Sequence, residues 1–153
     1  RGHQFNKVEL FQYCRPEDSG RALDEMLEHA RSIVRDLGLH HQVSKLAAAD
    51  VSASMAKTFD IEVWIPSMQQ YKEVSSASNA RDFQARRGQI RYRPEGQKKT
   101  ELVHTLNASG LATSRLLPAI VEQFQQADGS VRVPPVLAKW LGKEWLGKER
   151  LEG

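Results

Sequence analysis

Cysteine is almost missing from this chain: Cys14 stands alone among 153 residues. A single thiol excludes an intrachain disulfide and a cysteine-built zinc site, and a reducing, cytosol-like compartment is the simplest expectation. Long apolar runs are missing as well. No stretch approaches the ~20 residues needed to cross a bilayer, and the opening residues lack the profile of a secretory leader. A cytoplasmic protein with no membrane partner is therefore expected. A strong charge of either sign is also lacking. Twenty-two Lys and Arg against nineteen Asp and Glu leave +3 at pH 7, which permits contact with phosphates without demanding it. Three common chemical motifs are absent: no GxGxxG follows a strand, no GxxxxGK[ST] loop occurs, and His and carboxylates do not fall into HExxH spacing. Rossmann, P-loop and metal-protease sites have no support. Any nucleotide chemistry has to sit on the face of an antiparallel sheet.

What is present suits one globular domain, or part of a larger one, with 40% hydrophobic and 27% charged residues. "HQFNKVELFQY" (3–13) reads as a long strand of bulky and branched residues. From Leu23 to Leu37, apolar residues recur at helical spacing, with Asp18 or Ser19 as the cap and Gly38 just past the end. "LAAADVSASMAK" (46–57) has small residues and no period, which predicts a pliable loop. "FDIEVWIP" and "QYKEVSSASN" predict a hairpin around Pro66, and "QIRYRP" with "ELVHTLN" a second pair joined by "EGQKK". A last helix is expected from about Gly110 to Gln126, before a tail with the near-repeat "GKEWL" and "GKERL". Strands outnumber helices, which predicts an α+β fold: a mainly antiparallel sheet with helices packed on one face.

Some polar residues sit oddly in this pattern. Alternation places His3, Phe5, Lys7 and Glu9 on one strand face. That face is either a base-stacking platform with charged neighbours or the solvated side of an edge strand. Alternation also groups Tyr71, Glu73, Ser75 and Ala77 against Lys72, Val74, Ser76 and Ser78. Glu73 with nearby hydroxyls offers the hard oxygens magnesium prefers, or simply an exposed polar strand. Arg115 is harder to explain blandly, because Leu111, Leu116, Leu117, Ile120 and Val121 surround it with apolar sequence. A buried guanidinium costs several kcal/mol, in order of magnitude, unless an anion meets it.

Three blocks, "HQFNKVE", "YKEVSSASN" with "DFQARR", and "LNASGLATSR", resemble in order the signature blocks of bacterial-type seryl-tRNA synthetases. "KTFDIEVW" and "DGSVRVPPVL" fall where that family has similar segments. The resemblance covers nearly the whole chain. It implies a partial class II aminoacyl-tRNA synthetase catalytic domain, with 1–153 running from the second strand of motif 2 through motif 3 and a tail. Motif 1, the first strand of motif 2 and the tRNA-gripping arm are then expected upstream of Arg1, and the chain alone is expected to be incomplete for activity. It implies a homodimeric serine-tRNA ligase, using ATP and Mg2+ to make seryl-adenylate and charge the tRNA for serine.

The resemblance also implies roles for individual residues. Phe5 would stack on adenine while backbone near Gly2 reads its edge, and Glu9 would hold the ammonium of serine. Glu73, Val74, Ser75 and Ser76 would form the ATP block, with Glu73 and Ser76 facing magnesium. Asn107 and Ser109 would lie at the serine side, Ser109 near the substrate hydroxyl. Arg115 would contact the terminal phosphate of ATP, and with Glu73 would weigh most on catalysis. The chain departs from the family pattern in places. "AAADVSASMAKT" replaces a glycine-bearing segment, Ala77 stands where cysteine is common, and Pro118 lies inside the motif 3 helix. Two other readings stay open: a synthetase-like paralogue acting as a binding or regulatory module, and a ligase charging a carrier protein with a small amino acid.

Overall fold

The computed structural model describes residues 2–147, so Arg1 and most of the second near-repeat (148–153) lie outside the described residues. In chain order the elements are β1 (Lys7–Cys14), α1 (Ser19–Asp36), β2 (His41–Lys45), β3 (Lys57–Ile65) and β4 (Gln70–Arg81). There follow α2 (Phe83–Gly88), β5 (Arg91–Tyr92), β6 (Glu101–Leu102), β7 (His104–Ala112) and α3 (Thr113–Phe124). The tail adds β8 (Val131–Arg132), α4 (Pro135–Leu141) and β9 (Trp145–Leu146). Five strands make the main sheet in the order β1-β7-β4-β3-β2, every pair antiparallel. The expected α+β architecture is observed.

Register decides which face each residue takes. Ala77 lies opposite Ala108 and Phe59 opposite Ala77, so these small and aromatic residues share one side. Ile61, Val63, Val74 and Leu111 are buried there with Ala30 and Val34 of α1, Leu37 just past its end and Ala119 of α3, and Leu116, Ile120 and Phe124 of α3 pack against them. A second cluster joins Leu23 and Met26 of α1 to Ala77, Leu106 and Ala108. The apolar stripes of both helices thus cover one face. Truncating a residue such as the fully buried Ile61 would cost about 2–5 kcal/mol, which makes this side a stiff support for the polar face. Ser78 opposite Asn107, and Glu9 opposite Ser109, fall on that other face.

The hairpin around Pro66 forms as expected, with a 3-10 turn over Pro66–Met68. Gly38 takes φ +71° just past α1, the left-handed conformation a helix end favours. Asp18 takes the N-cap position of α1, one of the two expected, but without the capping bond. No side-chain cap bond forms; Asp18 pairs with Arg21 and the Ser19 hydroxyl donates to the Pro16 carbonyl. β1 begins at Lys7 rather than His3, and β2 is a strand the apolar pattern does not reveal. The expected helix from Gly110 starts only at Thr113, because residues through Ala112 still pair with β1. α3 runs through Pro118. No residue in 46–57 has positive φ; the loop is built from turns such as Asp50 N–H to the Ala47 carbonyl and Met55 N–H to the Ser52 carbonyl. Its lack of glycine therefore carries no conformational cost here.

Candidate active site

The polar face is organised from β1 and β7. Pairing of Glu9 with Ser109 and of Phe11 with Asn107 brings three expected residues together. Asn107 Nδ2 donates to Glu9 Oε1 at 2.9 Å, and Ser109 Oγ donates to Glu9 Oε2 at 3.1 Å. Lys7 Nζ lies 2.7 Å from Glu9 Oε2. Burial pushes the Glu9 carboxyl up, but the bonds from Lys7, Asn107 and Ser109, with the Lys7 charge, outweigh it. The net is a carboxyl below its ordinary value of 4.5. This is an ionised acceptor fixed among donors, able to meet a small cationic group.

Phe5 reaches the site although it precedes the strand. The segment before β1 is tied to the start of α3: Thr113 N–H and Thr113 Oγ1 both donate to the Asn6 carbonyl, and Gly2 N–H donates to Ser114 Oγ at 2.8 Å. Phe5 is left about half exposed on a cavity of about 350 Å³ that Gly2, Lys7, Glu73, Ser109 and Arg115 also line. Val74 and Ser75 line it too, and the Ser75 hydroxyl donates to the Ser109 carbonyl. His3 does not share this wall, because the alternation that grouped it with Phe5 begins only at Lys7.

Arg115, in the first turn of α3, is not buried as the apolar sequence suggested. Its side chain is 29% exposed, and Leu117 beside it is largely exposed. Nη1 donates to the Glu73 carbonyl at 2.8 Å and lies 3.6 Å from Glu73 Oε2. Glu73 is thus the anion Arg115 meets within the chain. Arg115 also lines the cavity shared with Phe5.

A bulge decides where Glu73 points. Ile61 pairs with Ser75 but Glu62 pairs with Glu73, so Val74 is the extra residue. Val74 and Ser75 are both buried, and Glu73 and Ser76 emerge together on a second cavity of about 390 Å³, with Asp60, Thr58 and Ser78. Strict alternation had put Glu73 and Ser76 on opposite faces; the bulge corrects that grouping. Glu73 lines both cavities and so joins the Phe5–Arg115 side to the Asp60–Ser76 side. Among the described residues no three His, Cys, Asp or Glu gather into a metal-binding group. A cation here would depend on few carboxylates, hydroxyls and a ligand's own oxygens, as magnesium often does.

Sequence reasoning missed Asp60, Lys7 and Ser114. Lys7 was placed on the correct face without a role, and nothing in the pattern marked Ser114. Burial pushes the Asp60 carboxyl above its ordinary value of 3.8, and the Glu73 charge adds to the rise. Ser76 opposes it by hydrogen bonding, and Glu62 adds a further rise. Asp60 alternates with Phe59 and Ile61 in an apolar strand, and that interruption was its signal.

Comparison with known proteins bears on this site. The family described as tRNA synthetase class II core domain (G, H, P, S and T) matches residues 1–124. Serine--tRNA ligase 2 of Clostridium acetobutylicum is 70% identical over 146 residues, covering 95% of this chain and 34% of that protein. Serine--tRNA ligase of Desulfotalea psychrophila is 57% identical over 137 residues, 90% of this chain and 32% of the relative. Among solved structures, seryl-tRNA synthetase from Pyrococcus horikoshii complexed with ATP superposes with a TM-score of 0.91 at 42% identity. It is matched over 95% of this chain and 32% of its own. Cytoplasmic serine-tRNA ligase from Naegleria fowleri in complex with AMP gives 0.85 at 36% identity, over 95% and 34%. The chain spans about a third of the length of the relatives it matches.

Proposed function

Because the chain belongs to the class II tRNA synthetase core domain family, we propose that it carries the ATP- and serine-binding part of a serine-tRNA ligase. The observation that carries this reading is the Glu9–Asn107–Ser109 cluster set beside the cavity of Phe5 and Arg115. An ionised carboxylate for an ammonium and a hydroxyl for a hydroxyl stand next to a ring and a guanidinium suited to a nucleotide triphosphate. The relatives that share most sequence are serine--tRNA ligases, and two similar structures hold ATP or AMP. Residues 1–153 are read as the stretch from the second strand of motif 2 through motif 3 and its tail.

In this reading Phe5 stacks on adenine, with backbone at Gly2 along the base edge. Arg115 turns its planar fork to the terminal phosphate, where two parallel N–H bonds suit phosphate oxygens better than an ammonium would. Glu73 and Ser76 are oxygen donors on one cavity and fit a magnesium ion, which when bound neutralises phosphate charge. Val74 and Ser75 form the bulge that holds those donors in place. Glu9 orients serine by its ammonium so that its carboxylate meets the α-phosphorus in line, and pyrophosphate leaves as seryl-adenylate forms. Little proton transfer is required, so positioning and charge neutralisation carry the rate. Ser109 near the serine hydroxyl supplies specificity, since a site built to hydrogen-bond a hydroxyl rejects analogues lacking it. The tRNA for serine, a homodimeric assembly and a cytoplasmic setting belong to the same proposal for the whole protein.

The test is Glu9→Gln in the full-length protein, followed by ATP–pyrophosphate exchange. The Michaelis constant for serine should rise more than that for ATP. Wild-type values for both would remove Glu9 from the serine pocket.

A further inference from the structure

Asp60 is the least explained polar residue on the sheet. It sits on β3, 9% exposed, and its Oδ1 is shut from solvent with no hydrogen-bond partner. A buried carboxylate oxygen left unpaired is costly, and such atoms are uncommon in folded proteins. The strand register sets Asp60 directly opposite Ser76, where side chains on one face lie roughly 5 Å apart at Cβ. Thr58 and Ser78 form the next pair along, with their hydroxyls bonded at 2.9 Å. Asp60, Ser76 and Glu73 line the same cavity. Two carboxylates therefore face one small space, and Arg115 engages one of them from outside the cavity that Asp60 lines. Lys57 at the start of β3 lies over the Phe59 ring instead.

We propose that Asp60 belongs to the divalent-cation site of this face, its carboxylate sharing with Glu73 and Ser76 the cavity in which the ion is held. The inference rests on the reading of Glu73 and Ser76 given above. The Ser76 hydrogen bond accounts for only part of the carboxylate: Oδ1 stays unpaired, whereas the buried Thr58 hydroxyl and Asn79 amide nitrogen are bonded. A carboxylate with one oxygen unpaired and a second carboxylate's charge beside it is stabilised when positive charge enters the cavity they share. Octahedral magnesium keeps several waters and one or two carboxylates. Asp60, buried, fits as the group that orients this shell, while the more exposed Glu73 meets the ion from the same cavity.

The experiment uses Mn2+ as probe, by electron paramagnetic resonance of the full-length protein with ATP present and serine omitted. Asp60→Asn keeps the shape and removes the charge. Loss of a residue that orients a metal shell costs about 10- to 100-fold in metal affinity, and that weakening is expected here. ATP binding in chelator should stay at the wild-type value, and the metal-free melt should be unchanged or higher. Glu73→Gln is the companion variant. If it abolishes Mn2+ binding while Asp60→Asn leaves the affinity unchanged, Asp60 is outside the site and the inference fails alone. If neither variant changes Mn2+ affinity, the cation reading of Glu73 fails with it. Should Asp60→Asn not fold, Asp60→Ser is measured in the same way. Failure of both to fold marks Asp60 as a structural residue and overturns the proposal.

Discussion

Replacing Arg115 with alanine separates a phosphate-binding arginine from a structural one. In the empty protein its side chain has two partners, the Glu73 carbonyl at 2.8 Å and the Glu73 carboxylate at 3.6 Å. The ion pair is long and solvent reaches both groups, so it contributes about 0 to 1 kcal/mol. The hydrogen bond from a charged donor adds roughly 1.5 to 3 kcal/mol at most, discounted because water can replace it at the rim. A loss near 1 to 2 kcal/mol after that discount shifts the melting temperature by roughly 2 to 8 °C, at about 2 to 4 °C per kcal/mol for a domain of roughly this size. Catalysis should suffer more. Removing a charge-stabilising donor that acts mainly in the transition state costs about 2.7 to 4 kcal/mol, and each 1.36 kcal/mol is about tenfold in rate. Pyrophosphate exchange should therefore fall by roughly two to three orders of magnitude. Thermal melting and exchange are measured side by side on the full-length protein, with Arg115→Lys to keep charge and lose the fork. A breaking buried pair would instead cost about 3 to 5 kcal/mol of stability. A melt lowered by ten degrees or more, with near-normal exchange in the folded fraction, would refute the phosphate role.

Phe5→Ala should weaken ATP binding by about 1 to 3 kcal/mol, the range for one base on one aromatic ring, measured by calorimetry. An unchanged affinity would return Phe5 to an ordinary surface residue. Glu9 gives a pH prediction. Its folded carboxyl titrates below 4.5, so its contribution to stability is full above the unfolded value and disappears as pH falls through the folded one. Glu9→Gln should flatten the acid limb of the melting profile below about pH 4.5, and an identical limb would show that its partners add nothing to stability. The loop 46–57 buries little apolar area, so its amides should exchange fast in the free protein and slow when a seryl-adenylate analogue binds. Equal rates with and without the analogue would remove any lid role.

Much of the fold was legible because it follows periods. The stripe from Leu23 to Leu37 and the apolar alternation of β3 each write one face into the sequence. The failures have physical causes. β2, "HQVSK", is five residues long with Val43 as its only large apolar residue, too short and polar for a period. Its strand character comes from pairing with β3. The 110–112 segment, Gly-Leu-Ala, reads as a helix start because it has no β-branched or aromatic residue to mark a strand, and the register with β1 holds it in the sheet. In sequence Arg115 reads as buried because its neighbours are leucines. In the first turn of α3 it instead keeps partial exposure and reaches the Glu73 carbonyl, and Leu117 is left exposed nearby.

The candidate site shows where alternation stops being informative. Glu73 and Ser76 are three residues apart, which in a regular strand puts them on opposite faces. The family resemblance paired them; the parity of the strand forbade it. Both statements hold once Val74 is the extra residue, for a bulge changes parity without ending the strand. The sequence carries no glycine or proline to mark that point, only "EVSS", so the bulge is specified by packing: Val74 and Ser75 are buried together, Val74 in the core and Ser75 on the Ser109 carbonyl. The same bonds place Glu73 beside Arg115 on one side and Ser76 opposite Asp60 on the other. One inserted residue thus sets the relation between the arginine and the oxygen donors, and a change that packs poorly at Val74 should uncouple the two while leaving every polar residue in place.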